Sequence, residues 1–216
     1  MRDRNAPLSA ADIASLAWDK MAGLIPAVVQ DAQTSQLLML GYMDHDALAA
    51  TLESGFATFY SRSKRRLWQK GETSGNRLAV RGIFADCDDD ALLVKAEPAG
   101  PTCHLGTTSC FGAGGADGAG FLAELRHIVR DRAAAGGEAS YTARLLAEGP
   151  ARIAQKIGEE GVEVALAAVT RDVAGCIEET ADLVYHLTVL MEAKGFGWDD
   201  IAAKLRERHG KASAAP

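Results

Sequence analysis

Aromatic residues make up only 6% of the 216-residue sequence, and it holds just four cysteines and six prolines. No apolar run reaches the roughly 18 residues that a membrane-spanning helix needs, so no membrane partner is expected. There is no surplus of positive charge. Lys and Arg number 23 against 29 Asp and Glu, for a net charge of −6, which argues against bulk nucleic-acid binding and against a basic membrane-surface role. Residues 1–7 are charged and carry no apolar core, so they do not read as a secretory signal. A cytoplasmic chain with reduced thiols is the expectation, and the cysteines then read as metal ligands, catalytic groups or buried thiols. What is present is ordinary globular composition: 48% hydrophobic and 24% charged residues, with a mean hydropathy of −0.04.

Glycine, at 22 residues, is not scarce, and five of them fall in residues 112–120. That stretch has no large side chain to pack and reads as a flexible linker. It lacks the terminal Gly-Lys-Ser/Thr of a Walker-type phosphate loop. The expected organisation is a domain over 1–111, a linker over 112–120 and a second domain over 121–216. Charge divides as 11 basic against 13 acidic residues before the linker and 12 against 16 from it onward, so neither half is basic. Residues 1–20 suggest no role, and the tail 211–216 is expected to fray.

The first half reads as α+β with a mostly β core. Strands are predicted over 27–30, 37–43, 57–60, 77–85 and 91–96, with a helix over 44–54 capped by Asp44 and stopped at Gly55. The second half reads as an all-α bundle: a helix from about 121 to 136, others near 151–170 and 173–194, and a short one from Trp198.

Two sets of side chains suggest chemistry. In the first half lie Cys87, Cys103 and Cys110. Their spacing is wide and includes no Cys-x-x-Cys pair, so unrelated core thiols remain an alternative. However, Cys103 follows the Gly100-Pro101 turn and Cys110 closes a Thr-Thr-Ser stretch. Both therefore sit in polar loops, where three thiolates and an open position would suit a catalytic zinc. Asp86, Asp88 and Asp90 flank the first cysteine. On an extended backbone they point one way and Cys87 the other, and such oxygens suit Mg²⁺. A solvated acidic turn is the alternative, and a calcium loop fails because Ala91 stands where glycine is needed. Upstream, Arg62, Lys64, Arg65, Arg66 and Lys70 put five cations in nine residues among serines and threonines. Such a loop suits phosphate groups, or is merely a solvated basic turn. Trp68 is either core or a base-stacking platform. His104, next to Cys103, is expected to act as general base or as an alternative fourth ligand, provided a turn redirects it.

In the second half, Glu160 and Glu163 are three apart on one helix, with Glu159 beside them, and Glu179 and Asp182 repeat the spacing on the next. Both pairs lie roughly 10 Å from the intervening turn at about 1.5 Å per residue. Glu163 should therefore face Glu179, and Glu160 face Asp182. Four converging carboxylates suit one or two Mg²⁺ ions; acidic surface stripes are the bland alternative. A di-iron bundle would want Glu-x-x-His pairs, which neither helix has. Cys176 reads as a buried helix thiol and His186 as a satisfied structural histidine.

The motifs Tyr60-Ser-Arg-Ser, Leu67-Trp-Gln-Lys-Gly-Glu, Ser74-Gly-Asn, Asp86-Cys-Asp-Asp-Asp-Ala-Leu and Gly100-Pro-Thr-Cys-His through Ser109-Cys-Phe closely resemble phosphoribosyl-AMP cyclohydrolase of histidine biosynthesis, over roughly 27–111. Lys64 departs from the Arg expected there. The resemblance implies a homodimer with zinc at its interface. It matches Cys87, Cys103 and Cys110 to zinc ligands and Asp86, Asp88 and Asp90 to magnesium ligands, and it implies hydrolytic opening of the adenine N1–C6 bond. Glu-x-x-Glu followed by Glu-x-x-Asp looks like the all-α nucleoside triphosphate pyrophosphohydrolases. Ser140-Tyr-Thr-Ala-Arg-Leu-Leu, Gln155-Lys-Ile-Gly-Glu-Glu and Ala181-Asp-Leu-Val-Tyr-His narrow this to phosphoribosyl-ATP pyrophosphohydrolase, over roughly 121–210. That resemblance implies Mg²⁺ on Glu160, Glu163, Glu179 and Asp182, a water oriented by Glu159, and phosphate met by Lys156. Gly161 stands where a helix former is expected and should cost about 1 kcal/mol. A bifunctional hydrolase is the expectation. The rival is a zinc-stabilised RNA-binding module, supported by the basic loop and Trp68 but opposed by the net negative charge.

Overall fold

The computed structural model describes residues 3–112, 116, 118–136 and 140–209. Positions 113–115 and 117 of the expected linker, and the tail 211–216, lie outside the described residues. The chain divides into two compact units, Met1–Phe121 and Leu122–Pro216.

The first unit is built on strands β1 (Ile25–Asp31), β2 (Leu37–Met43), β3 (Thr58–Ser61), β4 (Arg66–Gln69), β5 (Leu78–Ala85) and β6 (Leu92–Pro98). Four of them form one sheet in the order β2-β1-β6-β5. β1 pairs antiparallel with β2 but parallel with β6, Ala27 lying opposite Leu92 and Asp31 opposite Ala96. Period-2 alternation directs Ile25, Ala27 and Val29 of β1, and Leu92, Val94 and Ala96 of β6, into one core in which each is at most 1% exposed. Helix α1 (His45–Ser54) begins where the Asp44 carboxylate accepts from the Ala47 amide at 2.8 Å and ends at Gly55 in the left-handed region, as its sequence requires. It adds Ala47 and Leu48 to the same core.

Two features were not legible in the sequence. β4 lies inside the stretch read as a basic loop. It pairs antiparallel with β3 as a separate hairpin, Phe59 opposite Trp68; the cations that surround this four-residue strand concealed it. Residues 10–15 and 18–21 form short 3-10 turns. They bury Ile13, and Leu8 and Leu16 beside them are buried too. The Trp18 indole donates to the Ile13 carbonyl at 2.8 Å.

The second unit is helical throughout its described length: α2 (Gly120–Ala135, its first residues belonging to the first unit), α3 (Tyr141–Glu148), α4 (Pro150–Thr170), α5 (Val173–Lys194) and α6 (Trp198–His209). Ser140 caps α3, Pro150 starts α4 where a missing N–H costs nothing, and Asp172 caps α5 through the Gly175 amide. The two-residue break between α4 and α5 makes them an antiparallel pair. Val129, Leu145, Ile153 and Val189 form the core. Cys176 is only half-buried, so it is not the buried thiol its helical context suggested.

Candidate active sites

β5 runs out at Ala85 into an acidic turn. The Asp86 carboxylate accepts from the amides of Asp90 and Ala91 at 3.0 and 3.1 Å, and Asp89 adopts φ +62°. The backbone here is therefore not extended, and the expected alternation fails: Cys87 does not point away from the aspartates. One ligand atom each from Asp86, Cys87 and Asp88 lies within 4.8 Å of the other two, and Asp90 stands outside that group. Like charges so close need a cation, and the chain supplies one. Lys20 Nζ lies 2.6 Å from Asp88 Oδ2, 3.1 Å from the Asp88 carbonyl and 3.4 Å from Asp90 Oδ2. Its ammonium holds the Asp88 carboxyl below the usual range. Ala17 N–H donates to the Asp89 carbonyl at 2.8 Å. Lys20 and Ala17, in the stretch that suggested no role, thus support this turn.

The second cysteine loop docks on β2. Ser109 Oγ donates to the Leu37 carbonyl at 2.7 Å, and Cys110 N–H to that of Leu38 at 2.8 Å. Within the loop, Cys103 N–H meets the Thr107 carbonyl and Gly106 N–H meets that of Cys103, both at 3.0 Å. The turn lies at 103–106 rather than at Gly100-Pro101, and it leaves His104 Nδ1 3.9 Å from Cys103 Sγ. The Leu105 amide and the Thr107 hydroxyl favour the Cys103 thiolate and lower its pKa; burial, followed by the neighbouring Cys103, raises that of Cys110. Cys103 and Cys110 are therefore partners. Cys87 does not join them: among the described residues of one chain, the three sulfurs form no common group.

The basic hairpin lines a cleft of about 310 Å³ that includes Lys64, Arg66, Trp68, Lys70 and Ser74. Lys70 also acts electrostatically on both Cys103 and Cys110. Arg62 is not in this cleft. Its guanidinium stacks on Tyr42, 3.9 Å from the ring centroid, in an adjacent hollow that Trp68 also lines. Trp68 packs on Phe59 with centroids 5.4 Å apart and forms a wall of both hollows. Two glycines set the loop geometry. Gly71 has φ +83° and a Cβ there would strike the Asn76 backbone at 2.4 Å; a Cβ on Gly100 would strike the Asn76 side chain. The close fit lets Asn76 Nδ2 donate to the Pro101 carbonyl at 3.2 Å, tying the hairpin's exit to the turn before Cys103.

On the second unit, Glu160, Glu179 and Asp182 each place a carboxylate oxygen within 4.8 Å of the others. Glu160 thus meets Asp182, as the helical rise requires, and Glu179 as well. Glu163 is exposed. Glu160, burial and then Glu179 push its carboxyl above the usual range. Glu160 is 5% exposed. Burial alone would raise its pKa, but Lys156 outweighs burial and holds it low. Lys156 Nζ lies 2.8 Å from Glu159 Oε2 and 3.0 Å from Glu160 Oε1, and the two carboxylates raise its own pKa well above the normal value. Glu159 also accepts from Gln155 at 2.9 Å, and Arg171 pairs with Glu179. His186, 5% exposed, stands behind the cluster with Nδ1 3.6 Å from Glu160 Oε1. Its i, i+4 relation to Asp182 was the available signal for this proximity.

A β-built unit with a thiol and acidic centre, followed by a helical unit with a carboxylate cluster, defines a two-domain hydrolase. The family model for phosphoribosyl-AMP cyclohydrolase matches residues 39–112, and that for phosphoribosyl-ATP pyrophosphohydrolase matches residues 122–209. The histidine biosynthesis bifunctional protein HisIE of Vibrio vulnificus (strain YJ016) is 51% identical over 208 residues, covering 94% of this chain and 99% of that protein. The HisIE proteins of Xanthomonas axonopodis pv. citri (strain 306) and Escherichia coli (strain K12) are each 53% identical over 197 residues, covering 91% and 90% of this chain and 94% and 95% of those proteins. The chain belongs to this family of bifunctional histidine-biosynthesis enzymes. It is a hydrolase with two activities acting on small phosphoribosyl nucleotides. Among the described residues, no helix is long and apolar enough to cross a membrane.

Proposed function

We propose that the two activities reside in separate centres, a zinc- and magnesium-dependent one within residues 1–111 and a magnesium-dependent one within 121–216, joined by the linker 112–120. The helical centre releases pyrophosphate from phosphoribosyl-ATP, and the first domain then opens the adenine ring of phosphoribosyl-AMP at N1–C6. The chain works as a cytoplasmic homodimer, where thiols stay reduced. The observation that carries this reading is the presence of two donor sets of different chemistry, sulfur with oxygen in one unit and oxygen alone in the other.

The residues fit the ions. Cys103 is biased toward thiolate and has Cys110 beside it. A catalytic zinc takes three protein ligands; within one chain Cys87 lies apart from Cys103 and Cys110, and in a homodimer the Cys87 thiolate of a second copy would supply the third. Zinc supplies Lewis acidity and acidifies water toward neutral pH. His104, next to Cys103, takes up the proton of the attacking water. Lys64 and Lys70 hold phosphate in the cleft, Arg62 reaches it from the adjoining hollow, and Trp68 stacks on the base. Asp86, Asp88 and Asp90 carry magnesium for the phosphoribosyl groups. In the second domain Glu160, Glu163, Glu179 and Asp182 hold magnesium, which offsets triphosphate charge. Glu159, kept ionised by Lys156, accepts a hydrogen bond from the attacking water and orients it, while Lys156 meets phosphate.

The test is turnover of phosphoribosyl-ATP by the purified chain, with pyrophosphate and ring-opened product followed separately and metal content measured on the same sample. Loss of both activities on removing zinc alone would overturn the assignment of separate centres.

A further inference from the structure

We propose that His186, backed by Tyr141, is a positioning residue that fixes the Glu160 carboxylate for divalent-metal binding in the pyrophosphohydrolase reaction; this rests on reading Glu160, Glu179 and Asp182 as metal ligands. Glu160 is the buried carboxylate of that group, and a buried carboxylate requires fixed partners. Lys156 is one, but it divides itself between Glu159 and Glu160 and is needed for phosphate. His186 is the other, and its side chain, like that of Glu160, is 6% exposed.

The main-chain contact places a hydrogen on Nδ1. His186 Nδ1 lies 2.8 Å from the Asp182 main-chain carbonyl. A carbonyl only accepts, so Nδ1 carries the hydrogen. In the neutral ring Nε2 then accepts, and the Tyr141 hydroxyl stands 3.1 Å away to donate. The N–H edge is thereby turned toward Glu160 Oε1 at 3.6 Å, an electrostatic contact rather than a second full hydrogen bond. The rings of Tyr141 and Tyr185 meet the imidazole edge-on, at 87° and 76°, and hold its plane. Tyr141 comes from α3, Glu160 from α4 and His186 from α5, so the chain of contacts that ends at Glu160 Oε1 runs from α3 through His186 on α5 to α4. Partners of this kind set the orientation of a metal-bound carboxylate, and losing one costs about 10–100-fold in metal affinity.

The experiment titrates the full-length chain with Mn²⁺ and with Mg²⁺ by calorimetry; the heat abolished by Glu160→Gln identifies this site. The amide nitrogen of Asn falls near the Nδ1 position of histidine, and that of Gln near Nε2. His186→Asn should therefore keep affinity within about 3-fold, whereas His186→Gln should lose about 10–100-fold. The half-saturating Mg²⁺ for pyrophosphate release should rise in parallel, while kcat at saturating metal stays within about 3-fold. Tyr141→Phe, at a half-exposed ring, should weaken binding by about 2–5-fold; it keeps the question decidable if His186→Gln fails to fold. Unchanged affinity in both Tyr141→Phe and a folded His186→Gln overturns the proposal, as does equal loss in the Asn and Gln variants. If Glu160→Gln removes no binding event, the metal reading itself fails, which is a separate outcome.

Discussion

The acidic turn and the helical carboxylate cluster hold the same kind of ligand on opposite kinds of scaffold. At the turn, Asp86, Cys87 and Asp88 are consecutive, and their grouping depends on a single left-handed residue, Asp89, and on Lys20 reaching from 68 residues away. On α4 and α5 the ligands are spaced three apart on rigid rods and meet because two helices run antiparallel. Among the described residues of one chain, Glu160, Glu179 and Asp182 come together, whereas Cys87 stands apart from Cys103 and Cys110. On the proposed homodimer, the loop-built site would be completed by a second subunit, while the helical carboxylates meet within one chain.

The strongest test of this contrast is separation of the activities. Glu163→Gln should lower pyrophosphate release by more than about 100-fold and leave ring opening of supplied phosphoribosyl-AMP intact, and Cys103→Ala should do the reverse. His104→Ala should slow ring opening by about 100-fold, the usual range for a lost acid–base group. Near-normal turnover with normal zinc content would remove His104 from the mechanism. Subunit mixing addresses the shared site directly. Cys87→Ala and Cys103→Ala proteins, each inactive in ring opening, should regain about a quarter of wild-type turnover when reassembled in equal amounts, because half the dimers are mixed and each mixed dimer keeps one intact site. Equivalent mixing of Glu160→Gln with Asp182→Asn should restore no pyrophosphate release.

Proton competition distinguishes the two scaffolds more finely. Glu163 titrates above the usual carboxylate range, because ionising it beside Glu160 and Glu179 is unfavourable. Metal-free stability from this group is therefore present at low pH and lost as pH rises through its elevated pKa. Asp88, held low by Lys20, behaves oppositely: its contribution is present above the ordinary carboxylate pKa and lost as pH falls through the depressed value. On acidification the helical site should release Mg²⁺ at a higher pH than the turn, and Glu163→Gln should raise the metal-free melting temperature while weakening metal binding. Calorimetry across pH 4–7 would register both. The smallest effect expected is from Gly161→Ala. A Cβ there meets open space, so the helix should gain about 1 kcal/mol, visible in chemical unfolding of the second unit.

The parts of this molecule that could be read from sequence were those with a period. The i, i+3 carboxylates and the helical rise placed Glu160 opposite Asp182. Asp44 and Gly55 bounded α1, and short apolar runs bounded by polar turns marked β1 and β6. What escaped lacked a local signature. β4 is only four residues long, and its Leu67 and Trp68 lie within a run of cations that reads as a loop. The turn at 86–90 depends on a positive φ at an aspartate, which nothing in its neighbours requires. The match between Lys20 and Asp88 is a long-range pairing of two exposed charges, and no periodicity marks such a pair. His186 was readable as buried, but its second partner, Tyr141, lies 45 residues earlier on another helix.

The parallel pairing of β1 with β6 has a consequence for how the chain reaches its native state. Residues 27–31 have their partners at 92–96, so the central strand of the first unit waits for a loop of more than sixty residues to close. The α4–α5 pair, by contrast, closes across a two-residue break. Non-local pairing slows folding relative to local helical contacts. Refolding should therefore proceed in two phases, with the C-terminal helices formed first and the N-terminal sheet last, even though the ribosome delivers that sheet earlier. Until β6 arrives, one edge of β1 stands open, and this interval is when the chain is most exposed to mispairing with another copy of itself.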